Sequence, residues 1–349
     1  MCDMTRIISV LMAIVLMLGL CACGQGGATG DSSSLTADAT SSEISVSSDN
    51  TSSDTSSAVS ETVLSEPSSS EVISSKDETS KDDSSKVTSS FVLQNYDVTV
   101  GEYTVVDAEN ARGIDNTKHG FGFGAAKDGK PHEISVNNQK RFDKYQNIEA
   151  LALDTVSTDK RMYLTFDCGY EYKNLTVDIL DILKEKNVKV AFFVTLSYIK
   201  NNPEKVDRML KEGHIVGNHS ATHPVFPDIS RTKMAEELYK VDEYLQKHFN
   251  YESDYFRFPT GAYSENALEL VTSVGYKSIF WSVAHGDYDT ANQPSVQKTF
   301  DTVTGRYHPG AVILLHASSQ SNVDALSDMI DEAHTQGYTF KSLDDYYAQ

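Results

Sequence analysis

Cysteine is scarce where it would constrain the fold. Of four in 349 residues, Cys2, Cys21 and Cys23 fall at the very start and Cys168 stands alone in the remainder. No disulfide can therefore close within the body of the protein, and a solitary thiol in a folded domain is usually a small apolar filler. Aromatic residues are missing altogether from residues 24–90, where 24 serines and 8 threonines accompany 12 acidic residues and 3 lysines. Such a segment cannot bury enough apolar surface to offset the entropy of ordering it, so a disordered linker is expected. As a flexible coil it would reach about 45 Å on average and roughly 220 Å at full stretch. A glycosylated stalk is the other reading of the same serines. Positive charge is short too: 30 lysines and arginines face 50 aspartates and glutamates, a net charge of −20. That balance weighs against a nucleic-acid partner held through phosphates.

Long apolar runs are also rare. The one at the start, Ile7 to Leu20 after Arg6, has the length of a signal-peptide core and is short for a membrane span. It closes on Leu20-Cys21-Ala22-Cys23-Gly24, which resembles a bacterial lipobox with Cys23 as the lipid-carrying residue. Residues 1–23 are thus expected to be a leader that exports the chain and anchors it to a membrane facing the cell wall. An ordinary secretory leader cut near Ala22 is the alternative.

Order is expected from about Phe91. Residues 91–158 scatter aromatic residues among glycine-rich turns such as Gly120-Phe-Gly-Phe-Gly124, and read as an irregular extension packed on a main domain spanning 159–349. From Met162 strands and helices alternate. Met162–Phe166, Val190–Val194, Ile215–Gly217, Asp254–Phe258, Lys277–Ser282, Ala311–Leu315 and Tyr338–Phe340 read as strands. Helical patterns follow them, with Leu175, Ile179, Ile182 and Leu183 sharing one face of the first. Seven strands, each trailed by a helix, imply an α/β fold with a parallel sheet, most simply a (β/α) barrel.

The ends of those strands carry the chemistry. The first delivers Asp167 and Cys168, and the third His219-Ser-Ala-Thr-His223. The fourth carries Arg257-Phe-Pro-Thr-Gly261, the fifth leads to Asp287, and the sixth delivers His316. A lone acid after a strand, or a lone pair of histidines four apart, is a weak sign. Five such groups at the C-terminal ends of separate strands are where a barrel keeps an active site. Histidines 119, 132, 214, 248, 285, 308 and 334 have no such arrangement and read as surface or core residues, and Trp281 as filling beneath the site.

Thr165-Phe-Asp-Cys-Gly169, His219-Ser-Ala-Thr-His223, Arg257-Phe-Pro-Thr-Gly261, Trp281-Ser-Val with Asp287, and Leu314-Leu-His316 occur in that order. Together they resemble the five motifs of the polysaccharide deacetylases, the NodB-homology enzymes of carbohydrate esterase family 4. Phe166-Asp-Cys-Gly-Tyr-Glu171, Glu212 to Ser220, Phe280 to Ala284 and Gln336 to Asp345 are similar to the delta-lactam-biosynthetic, PdaA-type branch, which acts on peptidoglycan N-acetylmuramic acid. The resemblance covers residues 159–349 and implies a distorted (β/α) barrel. It implies a divalent metal, zinc foremost, on His219 and His223. Asp167 would be the general base and Arg257 its partner. His316 would be the general acid oriented by Asp287, with Leu314 and Leu315 shielding its ring. The backbone N–H of Thr260 would meet the oxyanion, and Tyr170 and Leu314 would face the substrate.

Two positions depart from the family pattern. Its Asp-Asp-Gly is Asp-Cys-Gly here, so Cys168 is expected either to serve as a thiolate third ligand or to be silent. Its Arg-Pro-Pro-Arg-Gly is Arg-Phe-Pro-Thr-Gly, which removes one cation from the site. The expected function is hydrolysis of the acetamide of an amino sugar in peptidoglycan glycan strands, releasing acetate. N-acetylmuramic acid is the first candidate, leading to muramic δ-lactam of the spore cortex, and N-acetylglucosamine or another glycan is the alternative. A glycan-binding module without turnover is the reading from another class. A monomer is expected.

Overall fold

The computed structural model describes residues 96–349. The leader, Cys23 and the serine-rich stretch lie outside the described residues. Two triplets separated by Gly101 and Glu102, Val98–Val100 (β1) and Tyr103–Val105 (β2), fold back on one another as an antiparallel hairpin. Glu133–Phe142 forms a helix (α1), followed by the short strand Ala150–Leu151 (β3). Neither was expected from sequence. The buried face of α1 is Ser135, Gln139 and Phe142, so it shows no apolar period. Gln139 works by hydrogen bonding instead: its amide donates to Ala150 O and accepts from the N–H groups of Ala152 and Leu153. That fixes β3 where it can pair in parallel with a later strand.

The alternating part begins with β4 (Arg161–Cys168), α2 (Leu175–Glu185), β5 (Ala191–Val194), α3 (Leu196–Asn201) and α4 (Pro203–Lys211). It continues through β6 (Ile215–Asn218), α5 (Arg231–Phe249), β7 (Tyr255–Phe256), α6 (Glu265–Ser273) and β8 (Lys277–Ile279). It closes with α7 (Val296–Thr304), β9 (Ala311–His316), α8 (Gln320–Thr335), β10 (Thr339–Phe340) and α9 (Leu343–Tyr347). All seven expected strands are present and parallel, in the order β9–β4–β5–β6–β7–β8, with β10 beside the start of β4 and β3 added beyond β8. The N–H of Ser282 donates to Val312 O and that of Leu314 to Val283 O. These bonds bring the chain beyond β8 against β9 and curl the sheet into a distorted barrel.

Strand alternation then sorts the side chains. Met162, Leu164, Phe166 and Cys168 join the core between sheet and helices, with Ile179, Leu180 and Leu326. Tyr163 turns the other way, into an inner cluster with Phe193, Ile279 and Val312. A third cluster joins Val105, Phe142 and Ala152 from the first part of the chain to Phe256, Phe258, Phe280 and Leu268. No helix among the described residues is long and apolar enough to cross a membrane.

Candidate active site

Asp167 lies on the inner face of β4, at its C-terminal end. Its Oδ1 accepts from Arg257 Nη1 at 2.8 Å. Arg257 is fully buried, donates Nε to Ile279 O at 3.0 Å and Nη2 to Phe280 O at 3.3 Å, and lies 4.2 Å from the centre of the Phe193 ring. A guanidinium so enclosed requires a counter-charge. Burial by itself would raise the Asp167 pKa, but the charge of Arg257, helped by His219 and His316, holds the carboxyl below its usual range. Its Oδ2 is left facing His219 Nε2 at 3.6 Å.

His219 follows the last residue of β6. Its Nδ1 is 2.9 Å from Arg257 O; a carbonyl only accepts, so Nδ1 carries the proton and Nε2 keeps its lone pair. Burial pushes its pKa down to about 4 against the pull of Asp167, and burial lowers that of His223 too. The two rings are 4.8 Å apart, centre to centre, at 77°. The spacing of four brings them together through a tight loop and not through a helical turn: Ser220 and His223 have φ of 68° and 59°. Side chains hold that loop. Asn218 Oδ1 accepts the Ser220 N–H, Ser220 Oγ accepts the His223 N–H, and Glu237 Oε2 accepts both the N–H and the hydroxyl of Thr222.

On the other side, β9 ends on His316. Its Nδ1 lies 2.8 Å from Asp287 Oδ1, and its backbone N–H donates to Asp287 Oδ2 at 2.8 Å. Asn322 at the start of α8 donates to the same Oδ2 at 2.6 Å and to His316 O at 3.1 Å. With both amide protons so used, Asn322 Oδ1 must accept from His285 Nε2, 2.8 Å away. Burial would lower the His316 pKa, but the hydrogen bond and charge of Asp287 raise it above the ordinary imidazole value. Asp287 is in turn held low: burial raises it, and His316, His285 and Asn322 together outweigh burial.

Asp167, His219, His223 and His316 line one cavity of about 820 Å³ with Thr260, Leu314 and Trp281. A recess of about 420 Å³ shares those four ionisable residues and adds Tyr170. Thr260 is exposed there with φ of 59°. Gly261 beside it has φ of 69°, and a Cβ at that position would stand 2.7 Å from the Trp281 ring. Leu314 is inward, whereas Leu315 belongs to the core between sheet and helices and shields nothing in the cavity.

Cys168 is the main correction. Strand β4 runs two residues further than Met162–Phe166, so neighbours Asp167 and Cys168 point to opposite faces. The thiol is 1% exposed among apolar residues. Burial, reinforced by Asp167 and Glu171, pushes its pKa well up, and its side chain joins the core between sheet and helices, away from the histidines. Among the described residues no group of three His, Cys, Asp or Glu is arranged to hold a metal ion. The two neutral imidazoles are suitable nitrogen donors for a divalent ion, but they are fewer than the three protein ligands usual for catalytic zinc.

Sequence reasoning missed other parts. His285, read as surface or core, lines the cavity and braces Asn322; Trp281, read as filling, is part of the cavity wall. Tyr288, 69% exposed, stands 6.3 Å from His316, ring centre to ring centre. Phe123, from the glycine-rich stretch, lines the same cavity. The motif Gly-Phe-Gly-Phe-Gly was a signal for Phe123; nothing in the sequence pointed to Asn322.

A profile described as polysaccharide deacetylase matches residues 154–279. Over 239 residues the chain is 37% identical to peptidoglycan-N-acetylmuramic acid deacetylase PdaA of Bacillus subtilis, covering 68% of this chain and 89% of that protein. It is 33% identical over 184 residues to the peptidoglycan-N-acetylglucosamine deacetylase of Bacillus cereus, covering 52% of this chain and 66% of that one. The solved structure of Bacillus subtilis PdaA, a family 4 carbohydrate esterase, matches with a TM-score of 0.63 at 37% identity, over 66% of this chain and 97% of that one. A family 4 carbohydrate esterase from Bacillus anthracis matches at 0.54 and 38%, over the same shares. Sequence, fold and the order of the motifs around the barrel agree: the chain belongs to the polysaccharide deacetylases, the NodB-homology enzymes of carbohydrate esterase family 4.

Proposed function

We propose that this protein hydrolyses the acetamide of N-acetylated amino sugars in peptidoglycan, N-acetylmuramic acid first, releasing acetate and a free amine. One observation carries the reading. An aspartate whose pKa is held down and a histidine whose pKa is pushed up by Asp287 line the same cavity, beside two histidines whose pKa burial lowers.

Asp167 has one oxygen fixed by Arg257 and the other free to take a proton from an attacking water. His316, locked through Nδ1 by Asp287, keeps Nε2–H for the departing amine. The backbone N–H of Thr260, a residue of the cavity wall, would donate to the developing oxyanion. A divalent ion on His219 and His223, zinc foremost, would supply Lewis-acid charge to the carbonyl and acidify water. Trp281, Tyr288 and Tyr170 line the cavity and its recess, where sugars would pack against them. The freed amine of muramic acid would lie on the sugar that carries the lactyl group, ready for closure to the δ-lactam of a spore cortex. Export and lipid anchoring through Cys23 would bring the enzyme to that substrate.

The test is acetate release from glycan strands by the full chain, stripped of metal and resupplied with zinc, with the modified sugar identified by mass. Zinc-restored release with altered muramic acid supports the proposal, and altered glucosamine moves it to the other sugar. No acetate with any divalent metal overturns it.

A further inference from the structure

Helix α7 places Lys298 and Thr302 four residues apart, and Arg306 follows four beyond. Lys298 and Thr302 share one face of α7 and Arg306 lies just past its end; all three line the cavity that holds Asp167 and His316. Two cations thus line the cavity of a chain with a surplus of acid. Five of the other six described arginines find carboxylates, Arg112 with Asp107, Arg161 with Asp159, Arg208 with Glu212, Arg231 with Glu269 and Arg257 with Asp167, and Arg141 bonds the Tyr263 hydroxyl. Neither Lys298 nor Arg306 has a carboxylate partner among the described residues. Arg306 is half-buried and fixed, since its Nη1 donates to Ala284 O, in the segment that leads to Asp287. Its Nε and Nη2 bond to nothing else among the described residues. On another part of the wall, Thr260 is neutral.

A guanidinium anchored by one nitrogen in a cavity wall is suited to a planar anion, and a flexible ammonium on the same wall, eight residues earlier, is suited to share it. From this geometry we infer that Lys298 and Arg306 form a carboxylate subsite. It reads an acidic substituent on the sugar chain whose acetamide is cut, and so favours muramic acid over glucosamine. The inference rests on the amide-hydrolase reading above and adds a specificity determinant to it. The carboxylate is either the lactyl acid of a stripped strand or an acid of a stem peptide.

The test compares wild type with Lys298→Met, Arg306→Met and the double variant. The first measurement is affinity of the metal-stripped full chain for a glucosamine–muramic acid disaccharide with the lactyl group as free acid or as methyl ester. A charge-assisted hydrogen bond gives a preference for the acid of roughly 10- to 100-fold in wild type, abolished by Arg306→Met. Equal affinity for acid and ester in wild type, or equal losses for both in the variant, overturns the lactyl assignment. If instead only peptide-bearing strands show the dependence on Arg306, the carboxylate is the peptide's. If no carboxylate-bearing ligand shows it, the subsite does not exist. The second measurement is kcat/KM, expected to fall at least tenfold further on muramic-acid strands than on N-acetylglucosamine oligomers; equal falls overturn the inference. Loss of all acetate release with the binding preference intact would overturn the enzyme reading and leave the subsite standing.

Discussion

The two sides of the site treat the same side chain in opposite ways. His219 spends its Nδ1–H on a peptide carbonyl, and burial carries its pKa down to about 4. His316 spends the same atom on a carboxylate, and its pKa rises. Both rings lie in the same cavity, so the partner decides. A carbonyl fixes the tautomer but brings only a partial charge, whereas Asp287 brings a whole one, itself secured by Asn322 and the His316 N–H. One side thus presents lone pairs and the other a proton.

The harshest way to break this contrast is at the shared counter-charge. Arg257→Met leaves Asp167 as a lone, enclosed carboxylate, which costs about 3–5 kcal/mol. The melting temperature should drop by several degrees and acetate release should vanish; an unchanged melting curve would refute the structural half of that statement. His316→Ala should lower kcat by roughly 10²- to 10⁴-fold. Its side chain is 28% exposed, so thermal stability should change little. The pH profile sharpens the comparison further. Activity requires Asp167 ionised and is lost as pH falls through its depressed pKa; it requires His316 protonated and is lost as pH rises through its elevated pKa. Asp287→Asn should draw the alkaline limb back to lower pH, and a limb that stays in place would remove His316 from the role of acid. Asn322→Ala should cost about tenfold in kcat and move the same limb by less. Smallest of all, Cys168→Ala should leave acetate release and any zinc requirement unaltered, at a cost of about 1 kcal/mol in stability seen by denaturant unfolding.

Much of the barrel was legible because its strands are short apolar runs separated by amphipathic helices. Asp167, Arg257, His219, His223, Asp287 and His316 were legible because each follows or ends such a run. The error at Cys168 came from two residues of strand length. Had β4 stopped at Phe166, both side chains would have been free to turn toward the loop; as it continues, adjacency in sequence means separation in space. Helix α1 and strand β3 were hidden because Gln139 joins them through amide hydrogen bonds and not through an apolar stripe. Asn322 was invisible for a related reason: its value lies in hydrogen bonds to His285 and Asp287, far back in the chain, and to the nearby His316 carbonyl.

The placement of Cys168 has a practical side. It is the sole thiol after residue 23, it is sealed between sheet and helices, and it sits one residue beyond the base. A thiol-specific reagent can reach it only when that layer parts. The slow phase of its modification in the native protein is therefore a clock for opening of the catalytic strand, readable without substrate, metal or any added label.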